Sequence, residues 1–276
     1  MPACELAAPS APETRSTGET QRLVVTWQHP DSRRIDPVGF LSYDGRVYRF
    51  AYIRNAQQVK GFQPLLGFED LGRGYESEQL FPLFAQRVMA PRRPDYQRYV
   101  KRLGLDGDPD PWEQITRSHG RRQGDTLQLL PEPTIAGDQL TVLFLVHGVR
   151  HVPKETHRLY GHEVRVTGEE VEAALCQLEP GDPLDLTPEP ENEKNRLAVM
   201  VLAPSRIPVG WVPDLLLDDL HLLQERAQVT ITVEHTNGPD APSHLRLLAR
   251  LTASPAGDFR FFTGERWEPL TTVAGQ

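Results

Sequence analysis

Four histidines, His147, His151, His157 and His162, crowd into one short span of a 276-residue chain. Imidazole is the commonest metal ligand, so this crowding raises zinc binding as the first chemistry to weigh. Geometry stands against it. In an extended strand four residues span roughly 13 Å, so His147 and His151 share a face without meeting one ion. The cysteines, Cys4 and Cys176, form no pair with ligand spacing. No cofactor is expected, with zinc as the lesser alternative. Nucleophilic chemistry lacks its signatures as well: the sequence has no Gly-x-Ser-x-Gly elbow, no Walker loop and no His-Glu-x-x-His. A protein that binds without catalysing is the expectation. Trp211, flanked by Val209 and Val212, reads as core or edge packing in a strand, with a base-stacking platform as the alternative.

Charge limits what could be bound. Thirty Lys and Arg against 38 Asp and Glu leave a net −8, which argues against bulk binding of duplex nucleic acid, whose affinity comes from many cations on phosphate. Any nucleic-acid contact must be small and local. The sign is also uneven along the chain. Residues 87–122 hold nine basic and five acidic side chains, +4, whereas residues 140–252 hold ten and seventeen, −7. The basic stretch either supplies phosphate contacts or pairs with the acidic half.

The elements that position these residues follow from pattern. Residues 1–20 are rich in Ala, Pro, Ser, Thr and Glu and nearly free of large apolar groups that could repay ordering, so they read as a disordered leader. Leu23, Val25 and Trp27 alternate as in a strand, and residues 38–53 read as a hairpin turning at Asp44-Gly45. Short helices are predicted near 95–103 and 111–118. Punctuation by Pro and Gly at 131–137 marks a boundary, after which the apolar run 140–149 reads as a buried strand. Thr167 followed by Glu170 forms a capping box for a helix carrying Val171, Ala174, Leu175 and Leu178 on one face. Strands are predicted at 184–186, 197–203, 207–212, 229–234 and 245–251, with a helix over 214–224 and a short hairpin or loose extension from 254. Twenty-five Pro and 21 Gly favour short elements over helical bundles. The organisation is therefore a leader, a β-rich module at 21–132, a second module at 140–252 able to fold alone, and an extension at 253–276. No membrane-length apolar run and no secretory signal pattern is present, and no disulfide framework can be built, so a cytoplasmic setting fits.

Three stretches of the second module carry a family likeness: Gly148-Val149-Arg150; the turn Glu189-Pro190-Glu191-Asn192 running into Ala198-Val199-Met200-Val201; and Val209-Gly210-Trp211-Val212-Pro213 before a Leu-rich helix. Together with the element order they resemble the HIRAN domain, found fused to SWI/SNF-type helicase-like ATPases and alone in bacterial proteins. The resemblance implies an α+β, β-rich fold, in which an oligonucleotide-binding-like (OB-like) β-barrel with two helices holds a single-stranded DNA end. A role in DNA repair or genome defence, beside a helicase-like partner, would follow. Carried over by position, Arg150 would contact a phosphate and His151 takes the place of an aromatic that stacks on a base. Asn195 replaces an Asp that meets a terminal hydroxyl, which an amide can also bond. Lys194 replaces an aromatic, and Arg196 follows in the same turn. With Trp211 these are the candidate nucleic-acid-binding residues.

The first half resembles the small N-terminal subdomain of HipA-type kinases, through the 39–52 hairpin and the segment Leu80-Phe81-Pro82-Leu83-Phe84 before a basic helix. No kinase core follows. This likeness implies the alternative function, an antitoxin-like component that docks on a separate HipA-type kinase through an exposed 80–84 segment.

Overall fold

The computed structural model describes residues 20–122, 124–254 and 257–271. The leader falls almost wholly outside the described residues. The first half is built on an antiparallel sheet of β1 (Gln21–Gln28), β2 (Ile35–Tyr43), β3 (Tyr48–Tyr52), β4 (Tyr75–Ser77) and β5 (Leu127–Pro131), in the order β4-β3-β2-β1-β5. Between β4 and β5 lie three helices, α1 (Pro82–Ala85), α2 (Tyr96–Arg102) and α3 (Pro111–Ser118). The hairpin turns at Asp44-Gly45 as the sequence predicts. Asp44 Oδ1 accepts from the Arg46 and Val47 amides, both at 2.9 Å, and Gly45 takes φ +93°. Such a turn needs the short acceptor and the residue without a Cβ.

The 80–84 segment departs from expectation. It runs into α1 at Pro82, with Phe84 fully buried and the Phe81 ring 5.1 Å from Phe68. Leu80, Phe81 and Leu83 pack on the same aromatic core, so this stretch presents no free docking strip. A sheet this short gains more by covering its own aromatic face than by leaving apolar rings in water.

The second half adds β6 (Thr134–Ala136), β7 (Gln139–Leu145), β8 (His157–Leu159), β9 (His162–Val164), α4 (Gly168–Cys176), β10 (Pro183–Pro188), β11 (Val199–Leu202), β12 (Pro208–Trp211), α5 (Asp214–Gln224), β13 (Gln228–Thr236) and β14 (Leu247–Ser254). Seven of these strands form one sheet in the order β12-β11-β10-β13-β14-β7-β6, while β8 and β9 make a separate hairpin. The capping box is present: Thr167 Oγ1 accepts from the Glu170 amide, and Glu170 reaches back to the Thr167 amide.

The architecture is α+β and β-rich, but no continuous ladder closes the large sheet into a barrel. Among the described residues one isolated bridge joins its sides just past β7, where His147 and Trp211 exchange two backbone hydrogen bonds of 2.9 Å. Two glycines explain the brevity of this contact. Gly210 lets β12 approach so closely that a Cβ there would lie 2.4 Å from the His147 carbonyl oxygen. Gly148, at φ +72°, then turns the chain out of pairing, and a Cβ there would lie 2.5 Å from the Trp211 ring.

The last segment is no loose extension. Phe259, Phe261, Phe262 and Trp267 are buried, the Trp267 ring stacks near Phe40, and Leu270 donates its amide to the Tyr52 carbonyl. Through it, Val24, Phe40, Ile53 and Leu130 of the first half join one apolar core with α5 and the large sheet. Polar contacts bind the same seam. Arg117 pairs with Glu234 at 2.8 Å, and Arg102 pairs with Asp240. Part of the basic stretch therefore neutralises the acidic half. Among the described residues no helix is long and apolar enough to cross a membrane.

Candidate nucleic-acid interface

The bend at Gly148 places Arg150 and His151 at the head of a short 3-10 turn, Val152–Lys154. The His151 amide donates to the Gly148 carbonyl at 2.6 Å and the Lys154 amide to the His151 carbonyl at 2.9 Å. Arg150 is exposed, and its Nε–H donates to His151 Nε2 at 3.1 Å. An accepting ring nitrogen is a neutral one. Partial burial, then the charges of Arg150, Lys194 and Lys154, hold the His151 pKa below the usual histidine range, with Glu155 opposing. The result is an uncharged planar ring beside a guanidinium, with two ammonium groups nearby.

Beneath this loop lies a polar cluster that sequence reasoning did not find. Glu189 is only 4% exposed, yet it accepts from Trp211 Nε1 at 2.8 Å and from Asn192 Nδ2 at 2.6 Å, and pairs with His157 Nδ1 at 2.9 Å. The other nitrogen of His157 meets the Val152 carbonyl at 2.8 Å. Burial works against charge on the His157 ring, but the Glu189 carboxylate and the Val152 carbonyl outweigh it and raise the pKa. Burial likewise opposes charge on Glu189, and its three donors bring its pKa down. With both nitrogens engaged, His157 holds the loop and has no lone pair for a metal. The Glu189-Pro190-Glu191-Asn192 turn was legible as a turn, but not its buried acid as a hub.

Trp211 is half buried, with its N–H tied to Glu189, its ring under Gly148 and the His157 ring at 5.4 Å in an edge contact. It supports the loop from below. Lys194 is exposed and its Nζ sits 3.1 Å from Glu155. Asn195 donates from Nδ2 to Asp214 at 3.1 Å and accepts from the Leu197 amide at 2.9 Å, which leaves one amide hydrogen and one oxygen lone pair. Arg196 is exposed and has no hydrogen-bond or ion-pair partner among the described residues. From the first half comes Arg121, whose pKa is lowered by desolvation and by the charge of Arg150.

Next to this surface the two halves enclose a small cavity lined by Thr26, His119, Gln128, Leu130, His147, Pro213 and Asp214. The Nε2 atoms of His119 and His147 are buried without a hydrogen-bond partner among the described residues. Burial, joined for His147 by the charges of Arg121 and His244, pushes the His147 pKa down to about 3 and that of His119 well below the usual range.

No family model and no curated protein matches the sequence. Among solved structures, a protein from Lactobacillus plantarum is 17% identical over 42% of this chain and 98% of its own, with a TM-score of 0.30. The HIRAN domain of human HLTF is 13% identical over 43% of this chain and 81% of its own, with a TM-score of 0.28. At such scores neither neighbour assigns a role to any residue here.

Proposed function

We propose that this chain is a non-catalytic module that binds single-stranded nucleic acid or a strand end at the Arg150–His151 loop. One observation carries the reading: on a protein of net charge −8, the exposed Arg150 guanidinium donates to the His151 ring at 3.1 Å, and the charges of Lys194 and Lys154 act on the same ring. Cations on phosphate beside a neutral ring on a base is the chemistry by which single strands are held. The sequence resemblance to the HIRAN domain points the same way, and roles in DNA repair or genome defence belong to this proposal. Neighbouring carboxylates, Glu155 and Asp214, keep the affinity modest.

The test is fluorescence anisotropy with labelled oligonucleotides, single- and double-stranded, with free or blocked 3′ ends, over several salt concentrations. Binding of single strands at low salt, weakened by Arg150→Ala, supports the reading. No binding to any single strand, or binding untouched by Arg150→Ala and His151→Ala, overturns it for this site.

A further inference from the structure

The β8–β9 hairpin turns on two residues, Tyr160 at φ +53° and Gly161 at φ +79°. Two positive φ angles in a two-residue loop are the pattern of a type I′ turn, whose first position suits Asn, Asp or Gly. A bulky aromatic there is disfavoured by its own Cβ. No packing compensates, since Tyr160 is 63% exposed. The side chain is nevertheless fixed. Its hydroxyl bonds Thr187 Oγ1 at 2.7 Å and accepts from Arg206 Nη1 at 3.1 Å. Arg206 is itself at φ +66°, lies 5.9 Å from the Tyr160 ring centroid and 3.5 Å from Asp185. The ring thus stands over a cleft of about 430 Å³ walled by Leu159, Val164 and Leu202, a size suited to a small planar ligand.

We infer that Tyr160 and Arg206 form a second base-binding subsite, Tyr160 stacking on one base of a bound strand and Arg206 meeting its phosphate. This inference rests on the proposed function. A nucleotide is favoured over an apolar peptide because a tethered ring and a half-free guanidinium flank the apolar wall. The β8 strand links the subsite to the Arg150–His151 loop. His157, which holds that loop through Val152 and Glu189, stands three residues before Tyr160, roughly 10 Å along the strand. Arg158, between them, pairs with Glu191 of the turn that carries Lys194. A strand seated at His151 needs a few more nucleotides to reach Tyr160.

The experiment uses the full chain and oligothymidylates of increasing length, with 2-aminopurine placed at successive positions as a reporter of stacking. Wild type should gain affinity in a step at one length and quench 2-aminopurine most at the position that reaches Tyr160. Tyr160→Asn suits the turn, so it should fold at least as stably as wild type, yet lose that step, roughly 5- to 150-fold, together with the quench. Tyr160→Phe should keep most of both. Short oligomers should bind wild type and Tyr160→Asn alike. If Tyr160→Asn shows the wild-type length profile and quench, the subsite is overturned while the Arg150–His151 reading stands. If wild type binds no single strand at all, that parent reading fails and the subsite falls with it.

Discussion

The indole N–H of Trp211 donates to Glu189 at 2.8 Å inside the polypeptide, and this bond, with those of His157 and Asn192 to the same carboxylate, holds the floor of the candidate interface. Glu189→Ala would leave three donors, the fully buried His157 among them, without that acceptor. Removing one member of such a buried network costs about 3–5 kcal/mol. Urea unfolding should show a loss of that size, with Glu189→Gln, which keeps one acceptor oxygen, losing less. A loss below about 1 kcal/mol would mean that the cluster is solvated in the native state.

Binding should be weak and only moderately salt-dependent. Two or three neutralised phosphates give a slope of log K against log salt near −1.4 to −2.1, at about −0.7 per phosphate for single strands. Arg150→Ala should flatten the slope by roughly 0.7. His151→Ala should cost about 1–3 kcal/mol through lost stacking and leave the slope nearly unchanged. Asn195→Ala should matter only for strands with a free 3′ hydroxyl, the group its remaining hydrogen and lone pair could bond. Anisotropy titrations with free and blocked ends separate these outcomes.

Acid should destabilise the fold before the carboxylates titrate. The folded pKa values of His119, His147 and His244 are depressed, the last two to about 3 and about 4, chiefly by burial. Below the unfolded histidine value of about 6.5 the unfolded chain therefore binds protons that the folded chain refuses. Their stabilisation is complete above that pH and falls as pH drops, by up to about 1.4 kcal/mol per pH unit for each group. His157 acts in the opposite sense, because its folded pKa is raised: its contribution is present below about pH 6.5 and fades as pH rises through the folded value. Unfolding free energies measured between pH 6.5 and 5 should fall with pH, and His147→Asn should flatten the curve by one group's share. An unchanged slope in that variant would place His147 among solvated residues.

The halves should unfold together. Val24, Phe40, Ile53 and Leu130 lie in one core with α5 and the closing Phe262 and Trp267, and Arg117–Glu234 crosses the same seam. Tryptophan fluorescence and far-ultraviolet circular dichroism should therefore report coincident thermal transitions, and residues 136–276 alone should melt below the full chain. Two separated transitions in the intact protein would show that the shared core contributes little.

What the sequence determined by itself was whatever local chemistry specifies. Asp44-Gly45 needs only its own side chain and its own φ freedom to turn, and Thr167 with Glu170 needs only three residues to cap α4, so both were legible. The strands rich in Val, Ile and Leu were visible because burial on a sheet leaves its mark in every second residue or in an unbroken run. The β8–β9 hairpin was not, since its pattern of His157, Arg158, Tyr160 and His162 reads as a polar loop until Glu189 and Thr187 supply partners across the fold. The closing segment misled for the same reason: the aromatic residues Phe261, Phe262 and Trp267 have no local periodicity and find their cover on Phe40 and in the large core. Arg150 and His151 were named through the HIRAN resemblance, by their place after Gly148. That Trp211 would lie under them, its N–H tied to Glu189, depended on close backbone approach at Gly210 and on packing between segments remote in sequence. Such contacts depend on distances that no local pattern encodes, so only the tertiary structure could decide them.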